Sequence, residues 1–130
     1  MSTFCTVINC MDGRAQLPVI RYLKDRFGAD YVDVVSEPGP NRVLAEGSDA
    51  GTIESIVERV KISVDQHGSV GIAVVGHHEC AGNPAARSEQ AQHTKAAVHY
   101  VRSRFDGVPV IGLWVDEGWK VSETVNEGAR

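Results

Sequence analysis

No run of apolar residues in this 130-residue chain approaches the ~20 needed to cross a bilayer as a helix, so the sequence offers no transmembrane helix. Positive charge is also in short supply. Thirteen lysines and arginines against 17 aspartates and glutamates leave a net charge of -4, which gives no basic face for nucleic acid or an anionic membrane. Cysteines are few and odd in number: Cys5, Cys10 and Cys80 cannot all pair within one chain, and no Cys-x-x-Cys is present. That argues against a disulfide framework or a redox pair, and for thiols or metal ligands. A charged start followed by a signal-type apolar stretch is missing, so a cytoplasmic location is expected. Repeats, low-complexity tracts and linkers are missing too. The length fits one hydrophobic core, and a single domain over residues 1–130 follows.

What is present is an alternation of strand and helix signals. Apolar content of 42% and charged content of 23% are those of a globular protein. Residues 3–10, TFCTVINC, suit a buried strand. Leu17, Ile20, Leu23 and Phe27 then recur at helical spacing, with Gly28 as the stop, and YVDVVS at 31–36 predicts a second strand closed by a turn, PGPN, at 38–41. Ile53, Ile56, Val57, Val60 and Val64 line one face of a helix over 50–66, capped by Ser48 or Asp49 at its start and Gly68 at its end. VGIAVVG, residues 70–76, is apolar on both faces, as a central parallel strand is. A helix over 85–105 with Thr94, Val98, Val101 and Phe105 inward, a fourth strand at 108–115, and a further edge strand or surface segment in GWKVSETV complete the chain. The fold class expected is α/β: three α-β-α layers around a mainly parallel sheet of four strands, ordered 2-1-3-4, with a further strand at the edge.

Ligands gather beyond the carboxyl ends of such strands, where neighbouring connections leave in opposite directions. Two chemically loaded stretches sit there: CMDGR at 10–14 and GHHEC at 76–80. With the first and third strands adjacent, Cys10, His77 and Cys80 come within a few ångströms of one another. Two thiolates and one imidazole suit zinc, and three protein ligands leave a fourth position for water. His77, three residues from Cys80, is the expected ligand, while His78 points away. Asp12 and Arg14 form a forked pair with two open roles: the carboxylate orients a zinc-bound water, or it takes the fourth position itself. A salt bridge that merely pins the loop is the structural alternative. Zinc lowers the pKa of its water from 15.7 to about 7, and the resulting hydroxide attacks small electrophilic carbons.

Cys5, in mid-strand, reads as core packing. His67 ends a helix, where a cation is favoured, and His93 and His99 are expected in solvent. Gly39 and Asn41 are pocket candidates. Trp114 and Trp119 belong either to the core or to a subunit interface.

The two stretches resemble the Cys-x-Asp-x-Arg and Gly-His-x-x-Cys motifs of the β-class carbonic anhydrases, and the similarity runs on through VVSEPGPN, TIESIVERV and VIGLWVDEGWKV. The resemblance implies zinc on Cys10, His77 and Cys80, Asp12 and Arg14 as the gating or orienting pair, and a lyase that reversibly hydrates carbon dioxide to bicarbonate. It also implies pairing of the first strand with the third, an active site near a subunit boundary, and a homodimer or higher homo-oligomer. Two departures stand out. Ala81-Gly82 follows the last cysteine where the family usually places glycine directly, and the family's glutamine ahead of the first strand has no counterpart before residue 3. Another small electrophile, such as a sulfur analogue of carbon dioxide, and a non-catalytic zinc-binding or sensing module are the alternative readings.

Overall fold

Thr6, Val7 and Ile8 favour an extended chain, and in the computed structural model, which describes residues 2–128, Phe4–Cys10 forms strand β1. The outermost residues of the expected domain, 1 and 129–130, lie outside the described residues. β1 pairs in parallel with β2 (Tyr31–Glu37) on one side and with β3 (Ile72–His77) on the other. β4 (Val110–Val115) continues the parallel sheet, and β5 (Val121–Glu127) closes it antiparallel to β4, giving the order β2-β1-β3-β4-β5.

Parallel neighbours cannot be joined by a tight turn, so helices carry each crossover. α1 (Gln16–Phe27) links β1 to β2, α2 (Pro40–Glu46) and α3 (Ala50–His67) link β2 to β3, and α4 (Arg87–Arg104) links β3 to β4. Side chains alternate across the strands and split the core in two. Cys5, Val7, Ala73, Val75, Ile111 and Leu113 pack under Val19 and Leu23 of α1. Ile8, Val74 and Val110 pack on the other face, under Ile56 and Val60 of α3 and Val98 and Val101 of α4. Full burial of such a side chain is worth about 1.5–3 kcal/mol. From β1 the chain winds to one side and from β3 to the other, so the point of reversal lies between their carboxyl ends, Cys10 and His77.

The structure corrects several expectations. PGPN does not close a turn: Pro40 sits at the first position of α2, where its missing N–H costs nothing, and Asn41 lies inside the helix. Leu17 is 59% exposed, because the inward stripe of α1 runs through Val19 and Leu23 instead. His93 is half-buried, with Nδ1 3.0 Å from the Asn83 side-chain nitrogen, and is not a solvated residue. His67 does end α3, where its Nδ1 lies 2.6 Å from an Asp33 carboxylate oxygen. Trp114 is 5% exposed and packs within the chain.

Candidate metal centre

Cys10 is the last residue of β1, and the loop beyond it is pinned from two sides. The Gln16 amide donates to the carbonyls of Cys10 (2.7 Å) and Asp12 (3.0 Å), and the Asn9 amide donates to Ala15 (3.2 Å). His77 ends β3 on the adjacent strand. From there the chain reverses through Glu79, held at φ 55°, and a bridge between Cys80 and Asn83 turns the Cys80 side chain back toward β1. A left-handed non-glycine residue is uncommon, and here it marks the tight turn that brings Cys80 round.

Cys10, His77 and Cys80 are 4%, 0% and 3% exposed, and each offers one donor atom within 4.8 Å of the others. The two sulfurs stand 3.7 Å apart. Tetrahedral bonds of about 2.3 Å to one zinc would set two sulfurs about 3.8 Å apart, so the pair already has the needed spacing. The His77 Nδ1–H donates to the His78 carbonyl at 2.7 Å, so in the neutral imidazole Nε2 is the free acceptor. That Nε2 is buried without a hydrogen-bond partner. An orphaned acceptor beside two sulfurs is what a soft-to-borderline cation satisfies.

The charges agree. Hydrogen bonding from the Cys80 thiol draws the Cys10 pKa down to about 4 against the opposing effect of burial, helped by His77 and by the Gly39 and Asp12 amides. Cys80, which keeps the shared proton, is pushed up by that same contact and by burial. Burial opposes the His77 cation, yet its contacts with Cys10 and the His78 carbonyl outweigh this and raise its pKa. These shifts favour the thiolate form of Cys10, the form that binds a cation, and a cation would displace the proton favoured on Cys80.

Asp12 is outside the donor group. Arg14 holds it in a fork, Nε to Oδ1 at 3.1 Å and Nη2 to Oδ2 at 2.8 Å, while the Arg14 backbone N–H also donates to Oδ1. The guanidinium hydrogen bonds keep this carboxyl well below its usual range, at about 2. His78 is turned outward, its Nε2 3.7 Å from Glu79 Oε1, and has no place among the donors.

A family model described as "Putative carbonic anhydrase" matches residues 1–125. The chain belongs to the β-class carbonic anhydrase family. Among solved structures, the fold is similar to that of a chain from a study described as crystal structures of two tetrameric β-carbonic anhydrases from the filamentous ascomycete Sordaria macrospora. The match has 13% identity over 95% of this chain and 81% of that chain, with a TM-score of 0.52. No curated protein matches the chain.

In this member of the family the residue after the last cysteine, Ala81, faces solvent, and the tight contact falls to Gly82 one position later. Asn41, a pocket candidate, is 1% exposed and sits in a buried network: its amide donates to Gln90 (3.3 Å) and Thr94 (3.1 Å), and it accepts from Asn83 (3.1 Å). Gln90 in turn donates to the His77 carbonyl at 2.8 Å and the Asn83 carbonyl at 3.2 Å, tying α4 to the loop that carries the donors. Sequence reasoning missed Gln90 and Asn83. The available signal was Gly76, a glycine in an otherwise bulky strand: a Cβ there would lie 2.7 Å from the Asn41 amide nitrogen, so the gap is the room the network occupies.

Proposed function

We propose that Cys10, His77 and Cys80 hold a zinc ion and that the protein reversibly hydrates carbon dioxide to bicarbonate. The observation that carries this reading is a donor set of two sulfurs and one bare imidazole nitrogen, all buried and within 4.8 Å, from which the nearby carboxylate is kept apart. When bound, zinc supplies Lewis acidity that makes hydroxide accessible near neutral pH. The chain's own residues do the rest. Asp12, ionised and gripped by Arg14, can only accept hydrogen bonds, so it favours a reacting oxygen that carries a hydrogen and orients it. Arg14 prevents that carboxylate from swinging onto the ion, which weighs against a permanently closed, non-catalytic site. The walls around Cys10 and His77 keep bulk water from the donors and strengthen every charge interaction inside.

The unit that acts is a single domain across the chain, soluble in the cytoplasm and assembled as a homodimer or higher homo-oligomer. Supporting this assembly, Met11 and Leu17, 63% and 59% exposed, flank the loop after Cys10 and leave apolar surface beside the site. No described helix is long and apolar enough to cross a membrane. The test is zinc per chain by elemental analysis, with carbon dioxide hydration followed by stopped flow, in the wild type and in Cys80→Ser. One zinc per chain with hydration is expected in the wild type, and loss of both in the variant. Zinc without hydration in the wild type would keep the site and overturn the activity.

A further inference from the structure

Trp119 lies in the five-residue connection between β4 and β5, and its backbone is in the left-handed region at φ 60°. Glycine or asparagine would occupy such a position with less strain, and a bulky aromatic there is a genuine outlier. The turn is built to hold it. The Asp116 carboxylate accepts the N–H groups of Gly118 and Lys120, both at 2.9 Å, and the Trp119 N–H donates to the Asp116 carbonyl at 2.9 Å. The indole packs partly into the core cluster of Val115 and Leu113, stands 6.2 Å ring to ring from His77, and presents its face to Arg14, whose guanidinium carbon is 4.5 Å from the ring centre.

Arg14 needs a support of this kind. Its side chain is 49% exposed, and a long arginine at that exposure is free to sample many rotamers. The fork on Asp12 sets one side of the guanidinium. Glu79 meets it at 3.5 Å through both its carbonyl and its carboxylate, and the indole face closes another side. A cation over a tryptophan face is attracted by the ring quadrupole, and a planar guanidinium also stacks on it.

We propose that Trp119 is the positioning residue for Arg14: the strained turn holds the indole under the guanidinium, and so keeps Asp12 forked on Arg14 and off the metal position. This rests on the zinc reading above. It assigns a role in the site to a residue that is outside the donor group and is encoded 39 residues beyond Cys80.

Three variants separate the ring face from bulk and strain. Trp119→Gly suits the turn and deletes the ring, Trp119→Leu keeps apolar bulk without a π face, and Trp119→Phe keeps a face. Each is loaded with cobalt(II) and read by visible absorption. In Trp119→Gly and Trp119→Leu the sulfur-to-metal charge-transfer bands should persist while the d–d bands change, as the carboxylate reaches the ion, and kcat/KM for hydration should fall at least about tenfold. Trp119→Phe should restore the wild-type spectrum and most of the rate. If Trp119→Gly fails to fold, as judged by circular dichroism, the comparison of leucine with phenylalanine decides alone. Wild-type spectra and rates in Trp119→Gly or Trp119→Leu, or equal impairment in leucine and phenylalanine variants, would overturn the proposal.

A wild type that binds no metal or hydrates nothing would instead count against the zinc reading, and the clamp can then be read without metal. The Arg14 Nε–H proton should exchange slowly in the metal-free wild type and Trp119→Phe, and quickly in the other two. Equal exchange in all four would overturn the clamp.

Discussion

Gly39 and Gly82 meet backbone to backbone. A Cβ on Gly39 would lie 2.5 Å from the Gly82 carbonyl carbon, and one on Gly82 would lie 2.4 Å from the Pro38 carbonyl carbon and 2.5 Å from the Gly39 nitrogen. The loop that opens α2 and the loop after Cys80 thus touch through bare main chain, and this contact keeps the Gly39 amide beside Cys10. Gly82→Ala should separate the loops, cost about 1–3 kcal/mol of stability and reduce metal per chain. Gly39→Ala should be worse, since φ there is 57°. Urea denaturation midpoints with elemental analysis check both.

The three cysteines should divide cleanly. Cys10→Ser and Cys80→Ser are expected to lose the metal. Cys5 is fully buried under α1, its thiol pushed up to about 11 first by burial and then by Asp33, and Cys5→Ala should keep full metal content at a cost of about 1 kcal/mol for the small cavity. Metal content of the purified variants, measured beside their thermal midpoints, distinguishes the two groups.

Zinc uptake should release protons, because Cys80 retains one in the metal-free pocket. Titration of zinc into metal-free protein in weak buffer with an indicator dye should register about one proton or more per ion. Free zinc at 100 times its dissociation constant should add about 2.7 kcal/mol of stability, lost again on chelation.

Gln90 satisfies three carbonyls and the Asn41 amide from a position 1% exposed. Gln90→Met keeps the volume and strands those groups, so stability should fall by about 1–3 kcal/mol or more. A wild-type midpoint in denaturant would refute the role given to this network.

Acid should weaken the Asp12–Arg14 fork in a defined window. Its folded-state pKa, about 2, lies below the usual 3.8, so the stabilisation is complete above pH ~4 and fades as the pH falls toward 2. The pair is partly exposed and the effect modest. In metal-free protein, stability against pH should be flatter for Asp12→Asn than for the wild type over that range and parallel to it above.

Much of this architecture could be read from the chain because buried strands and amphipathic helices carry their own periodicities. The doubly apolar VGIAVVG at 70–76 announced the central strand that forms over Ile72–His77, and the helix containing Ile53, Ile56 and Val60 packs as its spacing predicts. Adjacency of the first and third strands is supposed from outward winding in two directions and implied by the family resemblance, and the structure does pair them and gather Cys10, His77 and Cys80 at that end. Two kinds of feature were not legible. α2 was hidden because proline and glycine read as turn punctuation, whereas Pro40 starts a helix. The supports of the site, Gln90, Asn83 and Trp119, act through contacts between elements far apart in sequence, and no local pattern encodes such contacts.

The two sulfurs are separated by 70 positions in the chain and by a single strand spacing in the sheet. A growing polypeptide therefore has only one of its three donors until residue 77 has emerged, and the full set forms only when the central pair of strands has closed a long loop. On the proposed zinc reading, ion capture would therefore report that the sheet has closed in register, since a half-assembled sheet does not bring the three donors together.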